Sequence, residues 1–450
     1  LDSEETELKE KVRKRKDKNK EQGEEEHIIY SWKQLIEDGK NAIALGDRQF
    51  IDAEVLGTDP AVILYTSGTT GFAKGVVLTH RNIVDDLMMA PTILKVHPED
   101  IFFSVLPVHH TYECTCAFLM PLYKGASIAF CEGLKYITKN LQEIRPTMLL
   151  GVPVLIETLY KKIWKTAKSE GKDKKLEKLM KLNKKTKKLN INIAKKLAKD
   201  ILDVFGGRLR VLISGGAAID PKILQFFNDL GIIAVQGYGL TECSPMTALN
   251  PDVEKDMKNE SVGHLLPGMK VKIVDADEEG IGEICFKGPN VMLGYYNNQE
   301  ATDEVLKDGW FHTGDLGRVD TDSFIYITGR KKNVIITENG KNVFPEELEY
   351  ELSHIPYIAE SMVWGDNEGE GVNSTTIAAT VTLDDEEVKE VLGEEYTDEQ
   401  AQNLVWGEID KINGHLPLFK KIKKLNIRKT DFNKTTGMKI KRFVESNKDA

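Results

Sequence analysis

The sequence predicts a mixed α/β protein: a large domain of mostly parallel sheet flanked by helices, with a small β subdomain, followed by a small α+β C-terminal domain. Three observations carry this. The runs IFFSVLP (101–107), TMLLGVP (147–153), LRVLISGG (209–216) and IIAVQGYG (232–239) are short, β-rich and apolar, end in Gly or Pro, and are separated by helix-length segments. That is the pattern of strands buried on both faces. From about Met269 the runs MKVKIVD, GEICFKG and SFIYITG are spaced by turn residues, as in an antiparallel β subdomain reaching to about 331. Finally, Pro345 followed by EELEYEL reads as a helix start, with proline in the first turn and acids near the N-terminus. The domain limits expected are 1–29 for a charged leading segment, 30–331 for the large domain and 332–450 for the closing one.

Composition narrows the function classes. A chain of 450 residues has room for two or three domains, and 41% hydrophobic residues suits a globular protein. The net charge of −10 argues against a nucleic-acid partner, which is met by a basic field. Cys114, Cys116, Cys131, Cys243 and Cys285 lack Cys-x-x-Cys spacing, so neither a disulfide framework nor a zinc site is expected. No apolar run is long enough for a membrane span and no signal peptide opens the sequence. The expected location is cytoplasmic, with membrane association left open. Residues 1–29 carry few apolar side chains and are expected to be solvated or disordered.

One segment is strongly basic. Between Lys161 and Lys199 sixteen lysines face three acids, with Ile163, Trp164, Leu176, Leu179, Leu182, Leu189 and Ile193 at near-helical spacing. The plainer reading is a solvated helical hairpin with an apolar face on the protein. The sharper one is a peripheral docking surface for anionic lipid or for cofactor phosphates.

The stretch YTSGTTGFAKGV (65–76) carries the chemistry. Glycines let backbone N–H groups approach a phosphate, hydroxyls donate to its oxygens, and Lys74 supplies a mobile cation. A polyphosphate is the natural guest. Walker A spacing cannot be laid onto SGTTGFAKG in any register. A plain flexible loop is disfavoured by the apolar strands on either side, Ala61 to Leu64 and Val76 to Leu78.

The stretch resembles the phosphate-loop signature of the adenylate-forming superfamily, which contains the AMP-forming acyl-CoA synthetases. GYGLTE (237–242), FHTGD (311–315), GRKKNVIITENGKNVFPEELE (329–349) and TTGMKIKR (435–442) resemble the later signatures in the family's order. The wording of LPVHHTYECT and GKNVFPEELE is most similar to the long-chain fatty-acid–CoA ligases. Such an enzyme displaces pyrophosphate from ATP with a carboxylate, so its site must hold a triphosphate and orient two anions against each other.

The resemblance implies a role for each matching residue. Thr66, Ser67, Gly68, Thr69, Thr70, Gly71 and Lys74 would wrap the ATP phosphates. Gly215, Gly216 and Ala217 would let adenine and the acyl group pass the backbone. In Gly237, Tyr238, Gly239, Thr241 and Glu242, the tyrosine would stack on adenine, Thr241 would contact phosphate and Glu242 would hold Mg²⁺. Asp315 would accept the ribose hydroxyls, assisted by Arg330, although an ordinary turn aspartate is the plainer reading. Lys439 would sit over the acyl carboxylate and phosphate, with Met438 standing where the family usually has glycine. His110 would gate the acyl carboxylate; its plainer reading is a hydrogen-bonded core histidine. A hinge at Lys332 would let the C-terminal domain rotate for transfer to CoA, with Gly340 lining the pantetheine path. Ile336 replaces a lysine that some relatives use in thioester formation. Thus Lys439, His110, Thr241 and Glu242 are the candidate catalytic residues, and ATP, Mg²⁺ and CoA the expected cofactors.

A fatty acid, of long chain, is the expected substrate, favoured by the resemblance and by the apolar stretch CAFLMPLY (116–123), which pattern alone reads as a buried helix. The front of the large domain is expected to be missing relative to the family. A carrier-protein thiol as acceptor, a non-catalytic nucleotide-binding remnant, and a homo-oligomer all stay open.

Overall fold

In this computed structural model the described residues are 31–66, 73–186, 203–337, 341–366, 375–434, 440–442 and 444–449. The expectations for Ser67, Gly68, Thr69, Thr70, Gly71, Gly340 and Lys439, for the segment 1–29, and for the end of the lysine-rich segment fall outside them. The chain separates into two compact units, divided between Leu56 and Gly57. In the first, Ser31 caps the helix Trp32–Ala44 by accepting the N–H of Gln34.

The second unit is built on a seven-stranded sheet in the order Ser127–Phe130, Ile101–Ser104, Met148–Gly151, Val211–Ser214, Ile233–Gly239, Met246–Leu249, His264–Leu265. The first five strands are parallel and the last two antiparallel. All four predicted apolar runs are therefore strands of one sheet. Both faces are covered. Phe103, Leu149 and Leu212 pack with Ile156, Leu159 and Phe227 on one side, while Phe102, Met148 and Val211 pack with Cys116, Ala117 and Leu87 on the other. Residues alternating along each strand thus feed two separate cores, which is why these strands read as continuous apolar runs.

The region from Met269 is antiparallel, as predicted. Lys270–Val274, Gly282–Lys287, Trp310–Val319 and Leu306–Lys307 form a sheet in that order, and Ile325–Arg330 pairs with Trp310–Val319. A smaller antiparallel sheet joins Pro60–Thr66, Lys74–Thr79 and Gly294–Tyr295. The middle strand of that sheet ends at Thr79, which caps the helix His80–Met89 in a capping box with Asn82. Asn82 Nδ2 also donates to the carbonyls of Pro289 and Val291, at 2.6 and 2.9 Å. The segment that leads into Tyr295 is thereby tied to the helix that follows the strand Lys74–Thr79.

The predicted helix at Pro345 is present as Pro345–Leu352. With Asp398–His415 it covers a sheet of Ile358–Asp366, Thr376–Leu383 and Lys424–Arg428 over a third core containing Leu348, Val363, Val381, Val405 and Ile409. The closing region is α+β, as the sequence indicates.

One of two further elements departs from simple pattern reading, and the other follows it. The stretch expected as a buried helix begins as a π-helix, Tyr112–Leu119, before continuing as Met120–Lys124, and buries Cys116, Ala117 and Met120 while Leu122 and Tyr123 are exposed. The lysine-rich segment begins as the hairpin Pro153–Ser169 and Asp173–Thr186, turned at Gly171 with φ +66°. Ile163, Leu176 and Leu179 lie in the core with Trp164 packed against them, as the plainer reading requires. Lys165 and Lys168 face acids of the same chain, Glu386 at 2.9 Å and Glu390 at 3.8 Å.

Candidate active site

Register, not sequence proximity, assembles the site. Asp315 and Arg330 are direct partners on neighbouring antiparallel strands, and Arg330 Nε lies 2.7 Å from Asp315 Oδ1. The other carboxylate oxygen accepts a 2.5 Å hydrogen bond from the Tyr238 hydroxyl. Asp315 is buried, so a plain turn aspartate does not describe it. Each carboxylate oxygen retains a lone-pair direction, so a diol could still be accepted. Burial and the adjoining Asp315 carboxylate push the Tyr238 hydroxyl well up, which keeps it a donor. The Tyr238 ring leans on Phe286, centroids 6.0 Å apart.

Gly237, Tyr238 and Gly239 are not a tight turn. They end the strand Ile233–Gly239 and pair antiparallel with Met246–Leu249. Thr241 and Glu242 follow in a short 3-10 turn. Gly239 is required by close backbone approach, because a Cβ there would lie 2.2 Å from the Pro245 carbonyl oxygen. Gly215 is required by a side chain: its Cβ would fall 2.8 Å from Cζ of Tyr112, whose hydroxyl donates to the Ile213 carbonyl. Gly215 is buried, while Gly216 and Ala217 are exposed just beyond the strand Val211–Ser214.

Glu242 and Lys74 meet the same tyrosine. Glu242 Oε1 accepts a 2.9 Å bond from the Tyr295 hydroxyl, and Lys74 Nζ lies 4.9 Å from the centre of the same tyrosine ring. Thr66 and Lys74 are register partners, and the Thr66 hydroxyl donates to the Lys74 carbonyl at 3.5 Å. The Arg330 guanidinium is within electrostatic reach of Tyr238, Glu242 and Tyr295. Six side chains from five segments, Lys74, Tyr238, Glu242, Tyr295, Asp315 and Arg330, thus form one cationic and carboxylate-bearing cluster. No group of three or more His, Cys, Asp or Glu that could cage a metal occurs among the described residues. Glu242, with one oxygen taken by Tyr295, fits an ion that takes one carboxylate and completes its shell with water and substrate phosphate, as Mg²⁺ does.

His110 is exposed at the turn before the π-helix, which corrects the core-histidine alternative. Its N–H donates to the Pro107 carbonyl at 2.9 Å. Three residues on, Glu113 is fully buried and accepts from the Ser104 hydroxyl at 2.5 Å and from the N–H groups of Val105 and Leu106. It pins the chain just ahead of His110, and burial pushes its carboxyl up to about 7.

Around the proposed hinge, Lys331 Nζ lies 3.1 Å from Glu283 Oε2 and Asn333 Nδ2 donates to Glu346 at 2.7 Å, so the neighbours of Lys332 bond to opposite sides. Ile336 is exposed in the short strand Ile335–Ile336. Lys434 and Ile440 form an antiparallel bridge. Lys434 is paired with Glu360 at 2.6 Å and Arg442 with Glu349, so neither is available to take the place assigned to Lys439.

Sequence reasoning missed Tyr295 and Glu113. Tyr295 lies in GYY, 53 positions after Glu242, and no local pattern ties the two. Glu113 lies inside LPVHHTYECT, and a single carboxylate beside two histidines carries no local signal of burial.

Comparison with known proteins agrees with the geometry. The model of a family described as AMP-binding enzyme matches residues 2–296. The long-chain-fatty-acid–CoA ligase FadD15 of Mycobacterium bovis is 30% identical over 431 residues, covering 88% of this chain and 69% of the relative. Fatty acyl-CoA synthetase A of Dictyostelium discoideum is 33% identical over 367 residues, covering 77% of this chain and 53%, about half, of the relative. Among solved structures, ATP-bound MatB from Rhodopseudomonas palustris aligns with TM-score 0.66 and 28% identity, over 88% of this chain and 70% of that one. On sequence and on fold, the chain belongs to the AMP-binding enzyme family.

Proposed function

We propose that the protein activates a fatty acid, of long chain, to acyl-AMP with release of pyrophosphate, and then transfers the acyl group to CoA. The observation that carries this reading is the convergence of Lys74, Glu242, Asp315, Arg330 and Tyr238 in one cluster. Similarity to long-chain ligases supports the acyl class.

In the first half-reaction a carboxylate oxygen attacks the α-phosphorus of ATP, the bond to the β-phosphate breaks, and pyrophosphate leaves. Lys74, with Thr66, Ser67, Gly68, Thr69, Thr70 and Gly71, holds the phosphates. Asp315 and Arg330 fix the ribose, Tyr238 the adenine, and Thr241 a phosphate oxygen. Glu242 holds Mg²⁺, which when bound neutralises charge on the phosphates. Lys439 orients the carboxylate against the α-phosphate, and His110 gates its approach. The region 332–450 acts as a separate domain hinged at Lys332, and its rotation brings the Gly340 segment to the thiol of CoA, whose sulfur attacks the acyl carbon and expels AMP.

The cytoplasm suits the five cysteines, all of them free thiols. Among the described residues no helix is long and apolar enough to cross a membrane. Pairing of Lys165 and Lys168 with Glu386 and Glu390 favours an intramolecular role for that part of the lysine-rich hairpin over lipid docking.

Mass spectrometry of the products tests the proposal. With ATP, Mg²⁺ and palmitate alone, acyl-AMP is expected; adding CoA should convert it to acyl-CoA. Acyl-AMP that persists with CoA but is consumed by a carrier-protein thiol would assign the acceptor differently. Nucleotide binding with neither product would leave a binding remnant.

A further inference from the structure

We infer that Tyr295 is a positioning residue that couples the metal-holding carboxylate to the phosphate-loop lysine, through its hydroxyl on Glu242 and its ring face beneath Lys74. The inference rests on the proposed reading of this cluster as the site for ATP and its metal.

The backbone leaves Tyr295 little freedom. It pairs with Val76 in the strand Gly294–Tyr295, and its N–H is bonded to the Thr302 hydroxyl at 2.9 Å. The chain on either side is stitched to the loop strand, Leu293 N–H to the Val77 carbonyl at 3.0 Å and Tyr296 N–H to the Gly75 carbonyl at 2.7 Å. Met292 N–H donates to the Glu242 carbonyl at 2.8 Å. One short segment therefore holds both the strand that carries Lys74 and the turn that carries Glu242. The ring itself packs in the small core of Val76, Leu78, Cys243, Met292 and Phe311.

The side chain completes what the backbone begins. The hydroxyl donates to Glu242 Oε1 at 2.9 Å, which restrains the carboxylate through one oxygen. An outer partner of this kind sets the orientation of a metal-bound carboxylate. Meanwhile the ring face, 4.9 Å from Lys74 Nζ, holds the ammonium by a cation–π contact and keeps it from pairing directly with Glu242. Lys74 and Glu242 are thus each held by the same tyrosine, one by its ring and one by its hydroxyl.

The test is calorimetric and needs no turnover. Binding of α,β-methylene-ATP to the whole chain is measured with Mg²⁺ and with EDTA, and the ratio of the two affinities reports the protein's hold on the metal. Glu242→Ala should collapse the ratio. Tyr295→Phe keeps the ring in its core, and should lower the ratio by about tenfold while leaving the EDTA affinity unchanged. Tyr295→Leu should in addition weaken EDTA binding by about threefold, through Lys74. An unchanged ratio in Tyr295→Phe, where Glu242→Ala collapses it, overturns the role of Tyr295 alone. An unchanged ratio in Glu242→Ala overturns the metal reading, and the role of Tyr295 with it.

Discussion

Asp315 and Arg330 stand opposite each other on two antiparallel strands, joined at 2.7 Å, while the second oxygen of Asp315 holds the hydroxyl of Tyr238 from a different sheet. The carboxylate proposed for the ribose is thus locked in orientation from two sides before any nucleotide arrives.

It follows that Asp315 should read the sugar. Asp315→Ala is expected to raise the KM for ATP by about tenfold to a hundredfold, the loss of hydrogen bonds to a charged group, with the KM for the fatty acid unchanged. It should also abolish the preference for ATP over 3′-deoxy-ATP. Initial rates with the two nucleotides measure both effects, and a preference that survives the substitution would move ribose recognition elsewhere.

A second pair predicts a pH dependence. Asp86 is fully buried, and its Oδ1 accepts from Asn290 Nδ2 at 3.0 Å, while Asp86 Oδ2 and Asn290 Oδ1 are buried without a partner. A proton on Asp86 supplies the donor that both oxygens lack, giving a cyclic acid–amide pair. Burial pushes this carboxyl from 3.8 up to about 8. Because the folded value lies above the unfolded one, the stabilisation is complete below pH ~4 and is lost as pH rises through ~8. Asp86→Asn can form the equivalent amide–amide pair at every pH. Urea unfolding between pH 5 and 9, on the order of the window those values set, should show a decline in the wild type that is flattened in the variant; parallel curves would rule out the neutral acid.

Gly239 offers a steric prediction. A Cβ there meets backbone, not a flexible side chain, at 2.2 Å. Gly239→Ala should cost roughly 1–3 kcal/mol of unfolding free energy and displace the turn of Thr241 and Glu242. Gly215→Ala, which presses on the ring of Tyr112, should be milder, since a ring can shift. Chemical denaturation of the two variants orders them.

These cases show what the sequence could and could not disclose. The parallel sheet was legible because strands such as Met148–Gly151 bury both faces and so read as unbroken apolar runs. Lys74, Glu242, Asp315 and Arg330 were legible as members of ordered motifs. Tyr295 and Asp86 were not, because their meaning lies in partners 53 and 204 positions away, and a lone tyrosine or aspartate carries no local signal. The π-helix at Tyr112–Leu119 was seen only as an apolar helix, since its wider turn leaves no mark in composition. For His110 the core alternative fails, since the residue lies exposed in the turn just before the buried Glu113.

The central claim is adenylation of a fatty acid. Its most direct test is pyrophosphate release from ATP and Mg²⁺ across a panel of fatty acids, in the wild type and in Lys439→Ala. The account predicts release that depends on the acid, is strongest with long chains, and falls by at least about a hundredfold in the variant while ATP binding persists. ATP binding with no acid-dependent release, or release indifferent to Lys439, would contradict it.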